Sequence, residues 1–360
     1  MKNHFVRVLS IFLLLSMLLP AVISCRDKDE GSKIEIFGSG LAAVKIDGKW
    51  GYADKNNRLV IKAVYDDAFA FSNDRACVKK DGKYGYIDPD GKVVIDIKYD
   101  GATTFSEGVA VVSVDGKSRY IDKKGDYLFD QEFEYGAPFS CGLACVRITE
   151  KYGYINKKGK LVIKDELYRA ANFSEDLAGF MDEKSQKCGY INKKGEIVID
   201  PVYDEVGSFN EGVARVISAE KVAYIDVTGR VMLTNQKQNT DSFYEGLARV
   251  ADDEEKMWGF IDISGSLVIK CQYQYAGRFS HGLATACDKD GGIGYIDKTG
   301  KFVIKPEYDF YIDKTSMGFE FEDDGYAIVI KDGKFGVIDT KGNLILDCIY
   351  DGINGVTANQ

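Results

Sequence analysis

The chain has 360 residues, with 47 lysines and arginines against 56 aspartates and glutamates and a formal net charge of −9. This diffuse negative charge argues against nucleic-acid binding, which requires basic patches that neutralise phosphate. Aromatic residues make up 12% of the chain and only five residues are proline, which is typical of a β-rich protein and not of a disordered one.

Residues 1–24 are predicted to be an export signal. Lys2 and Arg7 accompany an apolar run over residues 8–19, which is too short to span a bilayer comfortably. The following Val22-Ile23-Ser24-Cys25 resembles the bacterial lipobox, in which the cysteine is diacylated and becomes the mature N-terminus. We therefore expect lipidation at Cys25, and the alternative is a plain secretory signal cut nearby.

Residues 25–36 are interpreted as a charged tether. Within it, Lys28-Asp29-Glu30 is similar to a short tag that sends lipoproteins of some Gram-negative bacteria to the outer face of the outer membrane. The alternative is a solvated linker that carries no sorting signal. We expect a lipid-anchored protein of the cell envelope, in the outer membrane, and on the cell surface if the tag acts; the membrane is contacted through the lipid alone.

A three-residue sequence motif then recurs nine times between residues 37 and 360. It combines a mostly aromatic residue, a glycine in seven copies, and usually a tyrosine, and successive copies lie 34 to 42 residues apart. A period in this range is the signature of a repeat protein. The copies occupy 50–52, 84–86, 118–120, 152–154, 188–190, 222–224, 258–260, 293–295 and 335–337.

Each repeat is predicted to be a three-stranded antiparallel meander. Asp81-Gly82 lies between two alternating runs and indicates a type I′ hairpin turn. The second turn places Asp or Asn three residues before glycine, as in Asp88 and Gly91, and Asn57 stands at this glycine position in the first repeat. A Tyr-Asp pair and a Phe-Ser-Glu-Gly phrase connect one meander to the next.

The glycine of the middle strand needs a partner, because a bare glycine weakens a strand unless something approaches its backbone closely. We expect an aromatic side chain of the same or a neighbouring repeat to pack over glycines such as Gly85.

These phrases together, aromatic-Gly-Tyr-Ile-Asp, Gly-Lys-x-Val-Ile, Tyr-Asp and Phe-Ser-Glu-Gly, resemble the bacterial WG-repeat family over residues 37–360. The resemblance implies a β-rich array in an envelope or secreted protein, mostly without an assigned activity. Only Trp50 and Trp258 keep the tryptophan, and Arg119 and Ala223 replace the glycine. We expect those two repeats to be the loosest joints of the array, or to be adapted to a purpose.

The expected fold is all-β, a tandem array of about nine meanders in an open or superhelical arrangement. The alternative is a β-propeller-like ring. Repeats of 34 residues are short for four-stranded propeller blades, which usually need about 40 or more. The predicted domains are 1–24, 25–36 and 37–360.

Candidates for chemistry are few. His281 is the one histidine after the signal, and it stands in a connector. The cysteines after Cys25 replace scattered repeat positions without Cys-x-x-Cys spacing, which indicates buried thiols. The recurring carboxylates are explained by the turns. We predict no catalytic residue, no metal, no cofactor and no enzymatic activity.

The segment from Phe310 to Gly325 contains the insertion that lengthens one repeat to 42 residues. Loops on rigid scaffolds often carry recognition, so it is the candidate binding loop, with a tolerated surface insertion as the alternative. Its candidate residues are Met317, Phe319, Glu320, Phe321, Glu322, Asp323 and Asp324.

The predicted function is that of a lipid-anchored envelope scaffold, which binds a partner protein without enzymatic activity. The alternative is a glycan-binding surface lipoprotein, in which exposed aromatic side chains such as Trp50 or Trp258 stack on sugar rings. The sequence identifies neither ligand.

Overall fold

In the computed structural model, the described residues are 35–235, 240–252, 256–310, 319–354 and 356–357. Within these ranges the chain forms nine small antiparallel sheets arranged in a ring, a β-propeller-like architecture. The prediction of nine meanders is confirmed, and the closed ring is the stated alternative to an open array. The export signal and Cys25 lie outside the described residues.

Each sheet is here called a blade and is numbered in chain order. Strands of blades 1 to 3 are β1 (Leu41–Ile46), β2 (Lys49–Asp54), β3 (Leu59–Tyr65), then β4 (Asp67–Ala68), β5 (Ala76–Lys80), β6 (Lys83–Ile87), β7 (Val93–Tyr99), then β8 (Gly101–Ala102), β9 (Ala110–Val114) and β10 (Lys117–Ile121). Those of blades 4 and 5 are β11 (Tyr135–Gly136), β12 (Leu143–Arg147), β13 (Tyr152–Asn156), β14 (Leu161–Leu167), then β15 (Arg169–Ala170), β16 (Leu177–Met181), β17 (Cys188–Asn192) and β18 (Ile197–Tyr203).

Blades 6 and 7 contain β19 (Glu205–Val206), β20 (Val213–Ser218), β21 (Lys221–Asp226), β22 (Val231–Asn235), then β23 (Leu247–Ala251), β24 (Trp258–Asp262) and β25 (Leu267–Tyr273). Blades 8 and 9 contain β26 (Tyr275–Ser280), β27 (Leu283–Cys287), β28 (Ile293–Asp297), β29 (Phe302–Tyr308), then β30 (Tyr326–Lys331), β31 (Lys334–Asp339) and β32 (Leu344–Tyr350). The last strands, β33 (Gly352–Ile353) and β34 (Val356–Thr357), join blade 1, and a short 3-10 turn covers Gly38–Gly40.

In blades 2, 4, 5 and 6 the fourth strand has only two residues, which explains how so few residues build a blade. In blade 2 it is β4, two residues of the connector that pair with Lys79 and Val78 of β5. The length argument for an open array was therefore wrong, because a connector that pairs for two residues adds a strand at no cost in chain length.

The hydrophobic core lies between blades. The buried apolar residues fall into nine clusters, and each cluster joins two neighbouring blades. In blade 1, the ring of Tyr52 packs on Phe71 of blade 2 with centroids 5.0 Å apart. The Tyr52 hydroxyl donates a hydrogen bond to the Phe69 carbonyl of blade 2 at 2.9 Å. Both contacts recur from blade 2 to blade 6, and Phe260 and Tyr295 keep the ring contact alone.

The ring is closed by the end of the chain. Val44 of β1 pairs with Ile353 of β33. The Asn354 side chain accepts a hydrogen bond from the Ala43 N–H at 2.9 Å and donates one to the Ile36 carbonyl at 3.0 Å. Ile36, which the sequence placed in the tether, is already buried in the cluster that joins blades 9 and 1.

Asn57 also spans this seam. Its φ of 58° confirms the left-handed conformation expected at a glycine position. In the next repeat, a Cβ added to the equivalent Gly91 would lie 3.2 Å from Ile61 of the preceding blade. Asn57 instead accepts a hydrogen bond from the Asp347 N–H of blade 9 at 3.1 Å, so its side chain connects the first blade to the last.

Replacement of Asn354 by glycine is expected to weaken the closure specifically. Glycine keeps the left-handed backbone (φ 47°) but leaves the buried Ala43 N–H without its acceptor. The free energy of unfolding should fall by about 1–3 kcal/mol, measured by chemical denaturation. Asn56→Gly, at an exposed turn, is the matched control; an equal loss in both variants would contradict a closing role for the Asn354 side chain.

The glycine of the middle strand is covered by backbone and not by an aromatic ring. A Cβ on Gly51 would lie 2.4 Å from the Ile61 carbonyl oxygen, and one on Gly153 would lie 2.7 Å from that of Ile163. In each case the last strand of the same blade bulges towards the glycine, as the register shift between Trp50 and Tyr52 shows. The expectation of an aromatic partner was wrong.

The two repeats that lack this glycine differ in their last strand. In blade 6, Ala223 pairs directly with Thr234, so the bulge at this point is absent. In blade 3 the last strand is reduced to isolated bridges, and the Arg119 guanidinium stacks 3.9 Å from the centroid of the Tyr127 ring. A side chain at the glycine position thus changes the strand that would press against it.

Because the last strand bulges towards Gly153, the Gly153→Ala variant is expected to be less stable. The added methyl group would overlap the last strand, so the variant should lose about 1–3 kcal/mol of unfolding free energy. Gly101→Ala is the control, because its Cβ would lie at an ordinary 3.4 Å from the Ser113 Cβ. Equal stability of the two variants in denaturant titrations would contradict a close approach of the last strand as the reason for the glycine.

Candidate functional site

The connector turn that carries the Phe-Ser-Glu-Gly motif at the start of each blade is here called a corner. Successive corners are joined by a ladder of hydrogen bonds, which explains the motif. A serine of one corner donates to the phenylalanine carbonyl of the next, as from Ser140 to Phe173 at 2.7 Å. The acidic residue accepts from the glycine N–H of the next corner, as Glu175 does from Gly212 at 2.8 Å. The serine bonds start at Ser72, Ser106, Ser140 and Ser174, and the Asn210 side chain makes the equivalent bond to Phe243.

The ladder changes its chemistry at blades 7 to 9. Tyr244 stands at the serine position, and the Arg278 guanidinium carbon lies 4.8 Å from the centroid of its ring. Glu320 Oε2 lies 2.5 Å from Arg278 Nε, and its Oε1 accepts from the Arg278 backbone N–H at 2.9 Å. A relay of tyrosine, arginine and glutamate therefore replaces the serine bonds.

A second ion pair lies beside this relay. Arg249 Nη2 is 2.7 Å from Asp241 Oδ2, and Arg249 Nη1 donates to the Ala276 carbonyl of blade 8 at 2.8 Å. The Arg249 guanidinium carbon lies 5.1 Å from the centroid of the Trp258 ring. We call Asp241, Tyr244, Arg249, Arg278 and Glu320 the arginine–glutamate cluster.

Burial controls the charge of the carboxyls at this cluster. It raises the pKa of Glu320, and the positive charge of Arg278 opposes that rise. Burial likewise raises the pKa of Glu322 to about 8, with Arg278 lowering it and the charge of Glu320 raising it further. Glu322 therefore holds a proton through much of the neutral range, unlike an ordinary surface glutamate.

The predicted binding loop divides between core and surface. Met317 lies outside the described residues. Phe319 and Phe321 are core residues, only 6% and 2% exposed, and Phe321 packs on Tyr295 with ring centroids 4.8 Å apart. Asp324 accepts a hydrogen bond from the Phe37 N–H at 2.8 Å, whereas Asp323 is exposed. That the segment binds a partner stays a prediction.

Phe321 and Phe37 complete the series of corner phenylalanines, and the sequence analysis missed both. The insertion hides Phe321 by lengthening its distance from the middle-strand tyrosine. Phe37 precedes the first repeat phrase and packs on Tyr326 of blade 9, with ring centroids 4.9 Å apart. Both residues therefore serve the join between blades.

One tyrosine at this join departs from the pattern. Tyr154 in blade 4 donates to the Ala171 carbonyl, but the buried Tyr295 hydroxyl has no hydrogen-bond partner among the described residues. The Phe319 carbonyl, at the equivalent place, accepts instead from the Thr285 hydroxyl at 2.7 Å. The insertion and this changed hydrogen bond occur together.

Other candidates from the sequence have structural surroundings. Trp50 is 3% exposed and cannot stack on a sugar, which corrects its use as an exposed aromatic, while Trp258 is partly buried. His281 Nδ1 lies 3.1 Å from the Ser280 hydroxyl at its corner. Among the residues that the structure describes, six cysteines are unbridged; Cys77, Cys145, Cys188 and Cys287 are buried, and Cys271 and Cys348 are partly exposed.

The arrangement of blades defines a β-propeller-like repeat protein. The chain belongs to the WG-repeat family: the model of the WG containing repeat matches it in nine segments, at residues 32–50, 50–84, 84–117, 119–152, 152–184, 189–218, 258–291, 293–335 and 335–358. The comparison with curated proteins finds no match. No helix among the described residues is long and apolar enough to cross a membrane.

Solved structures resemble the fold at low identity. A structure described as the eukaryotic initiation factor matches with a TM-score of 0.59 and 10% identity, over 85% of this chain and 94% of that one. BamB from Moraxella catarrhalis matches with a TM-score of 0.42 and 11% identity, over 87% and 98%. The computationally designed Ika8 protein matches with a TM-score of 0.41 and 13% identity, over 77% and 93%. The likeness concerns the fold alone.

The raised pKa of Glu322 predicts how stability depends on pH. Its unfolded form loses the proton near 4.5 and its folded form near 8, so folding retains a proton and stability should fall as pH rises across this window. Glu322→Gln should remove that component of the fall, measured by unfolding titrations from pH 5 to 9. Glu166→Gln, on the exposed side of β14, is the control; parallel curves for wild type and Glu322→Gln would refute the assignment.

Proposed function

We propose that this chain is a lipid-anchored, non-enzymatic scaffold of the bacterial envelope, which binds a partner protein beside blades 7 to 9. The supporting observation is the arginine–glutamate cluster, which replaces the serine ladder next to the insertion. The corners of blades 2 to 6 repeat one solution, a serine or asparagine bond to the next phenylalanine carbonyl. A local change of chemistry beside added chain is the feature expected of a recognition site on a repeat scaffold.

The ends of the inserted segment are held firmly by the ring. Phe310 packs on Tyr275 with ring centroids 5.7 Å apart, and Phe319 and Phe321 are buried. Arg278 remains about one-third exposed although it is paired with Glu320. Partly exposed arginines and aromatic rings on a rigid frame are the side chains that contribute most at protein interfaces.

The carboxylates that recur in the repeats have structural tasks, which supports a role without catalysis. Asp66 contacts Lys49 at 2.6 Å and also accepts from the Asp81 N–H of the next repeat at 2.7 Å. Asp88 accepts from the Lys92 N–H within its own turn at 2.9 Å. These groups stabilise turns and connectors, and their repetition around the ring needs no reaction to explain it.

The anchor and its location are tested by cell fractionation and protease shaving. We expect the wild-type chain in the membrane fraction and the Cys25→Ala variant released from it; retention of the variant would contradict lipid anchoring. Digestion of the wild-type chain on intact cells would support surface display. Protection until the outer membrane is opened would contradict Lys28-Asp29-Glu30 as an export tag and assign the scaffold to the periplasm.

The binding site is tested by placing a photo-crosslinking amino acid at the exposed position 323 and irradiating intact cells. We expect a specific adduct there and none from position 90, an exposed turn in blade 2. Deletion of residues 311–317 should abolish the adduct while the ring stays folded, because it places Phe321 19 residues after Tyr295, as Phe71 follows Tyr52. Equal adducts from both positions, or an adduct that survives the deletion in a folded protein, would contradict the proposal.

A further inference from the structure

A second unusual surface crosses blade 4. Tyr135, Arg147 and Tyr152 are direct cross-strand neighbours on β11, β12 and β13. The Arg147 guanidinium carbon lies 6.0 Å from the Tyr152 ring centroid, and the Tyr135 and Tyr152 centroids are 6.3 Å apart. Where blade 5 begins, Arg169 lies 5.8 Å from the centroid of the Tyr168 ring. We call these five residues the arginine–tyrosine surface.

The two arginines of this surface have rings beside them but, among the described residues, no carboxylate in ion-pair contact; Glu134, the acidic residue near Arg147, pairs with Lys117 instead. Arg119, Arg249 and Arg278 also stack on rings, and each contacts an acidic side chain within 3.5 Å: Glu132, Asp241 and Glu320 respectively. Among the described residues, neither Arg147 nor Arg169 has a side-chain hydrogen bond or ion pair, and the shielded Nε–H of Arg147 has no acceptor. An acidic group from outside would complete the arrangement that the other three arginines show.

Tyr168 removes a further acid from this part of the ring. It follows Leu167 at a position where the connectors after blades 1, 2, 3, 5 and 9 carry an acidic residue that contacts the hairpin lysine, as Asp204 contacts Lys187 at 2.5 Å. In blade 4 the hairpin Lys151 lies over the Tyr168 ring at 5.5 Å and pairs with Glu183 instead. The loss of the acid and the gain of a ring thus coincide with the two unpaired arginines.

We propose that the arginine–tyrosine surface binds an acidic sugar, with its carboxylate on Arg147. The guanidinium N–H groups match a carboxylate in a fork geometry, and the electron-rich ring faces favour contact with the C–H groups of a pyranose. Tyr135 is 40% exposed, which leaves ring area for such contact. The backbone of β12 already pairs on both sides, so an acidic peptide could not add to it as a strand.

The test is calorimetric titration of the full chain with a trigalacturonate, a neutral galactotriose and triglutamate. We expect binding of the acidic trisaccharide, weaker or no binding of the other two, and at least a tenfold loss of affinity in Arg147→Gln. Arg58→Gln, which removes an exposed arginine paired with Asp54 in blade 1, should bind like wild type. Arg147→Lys keeps the charge but not the fork, so its affinity should fall between wild type and Arg147→Gln.

Several results would overturn the proposal: no binding of trigalacturonate, equal binding of the neutral trisaccharide, or equal binding of triglutamate. A loss in Arg58→Gln as large as in Arg147→Gln would show mere charge attraction. If Arg147→Gln fails to fold by thermal unfolding, the exposed Arg169→Gln takes its place, with the same expected loss. The outcome is independent of the crosslinking test, because that test concerns blades 7 to 9.

Discussion

In blades 1 to 6 the tyrosine of the middle strand packs into the next blade, and the rest of the structure depends on this contact. Its ring packs on the next corner phenylalanine and its hydroxyl satisfies a carbonyl there, as between Tyr52 and Phe71. Burial of one such ring contributes about 1.5–3 kcal/mol and the hydrogen bond about 0.5–1.5 kcal/mol. Because the core lies between blades, a single blade has half a core on each side, and an open array would expose two of these faces.

Ring closure follows from that constraint. The cluster between blades 9 and 1 contains Phe37 and Val44 from one end of the chain and Phe335 and Tyr350 from the other. Closing it removes both exposed faces at once, and side-chain hydrogen bonds of Asn57, Asn354 and Asp351 support the short pairing of β1 with β33. In a closed ring every blade has two neighbours, so the weak ends of a solenoid are absent.

Local features of this fold could be predicted from the sequence, because a turn or a strand is specified within a few residues. The Asp-Gly hairpins, the second turns and the left-handed Asn57 all follow from such short signals. Closure could not be predicted, since Asn354 and Ala43 lie far apart in the chain and resemble ordinary repeat residues. The partner of the middle-strand glycine was missed for another reason: a bulge in the last strand leaves no mark in the sequence.

The candidate site was predicted only in part. The insertion pointed to Glu320 and Glu322, but Arg249 and Arg278 stand at repeat positions that most other repeats fill with smaller residues, such as Cys145 and Ala70, although Arg215 shares the position of Arg249. An arginine at such a position is the signal that would have identified them. The sequence alone does not give this arginine a partner; the ring places Arg278 against Glu320 of the next blade.

Stability alone does not account for that arginine. A buried serine that donates to a carbonyl completes the join at other corners, as between Ser140 and Phe173, without removing any charge from water. Partial burial of Arg278 with Glu320 carries a desolvation cost that an ion pair offsets incompletely, so this chemistry gives the joint no evident advantage over serine. It does give a charged, oriented and partly exposed guanidinium beside the inserted segment. The departure from the repeat therefore supports the proposed binding site beside blades 7 to 9.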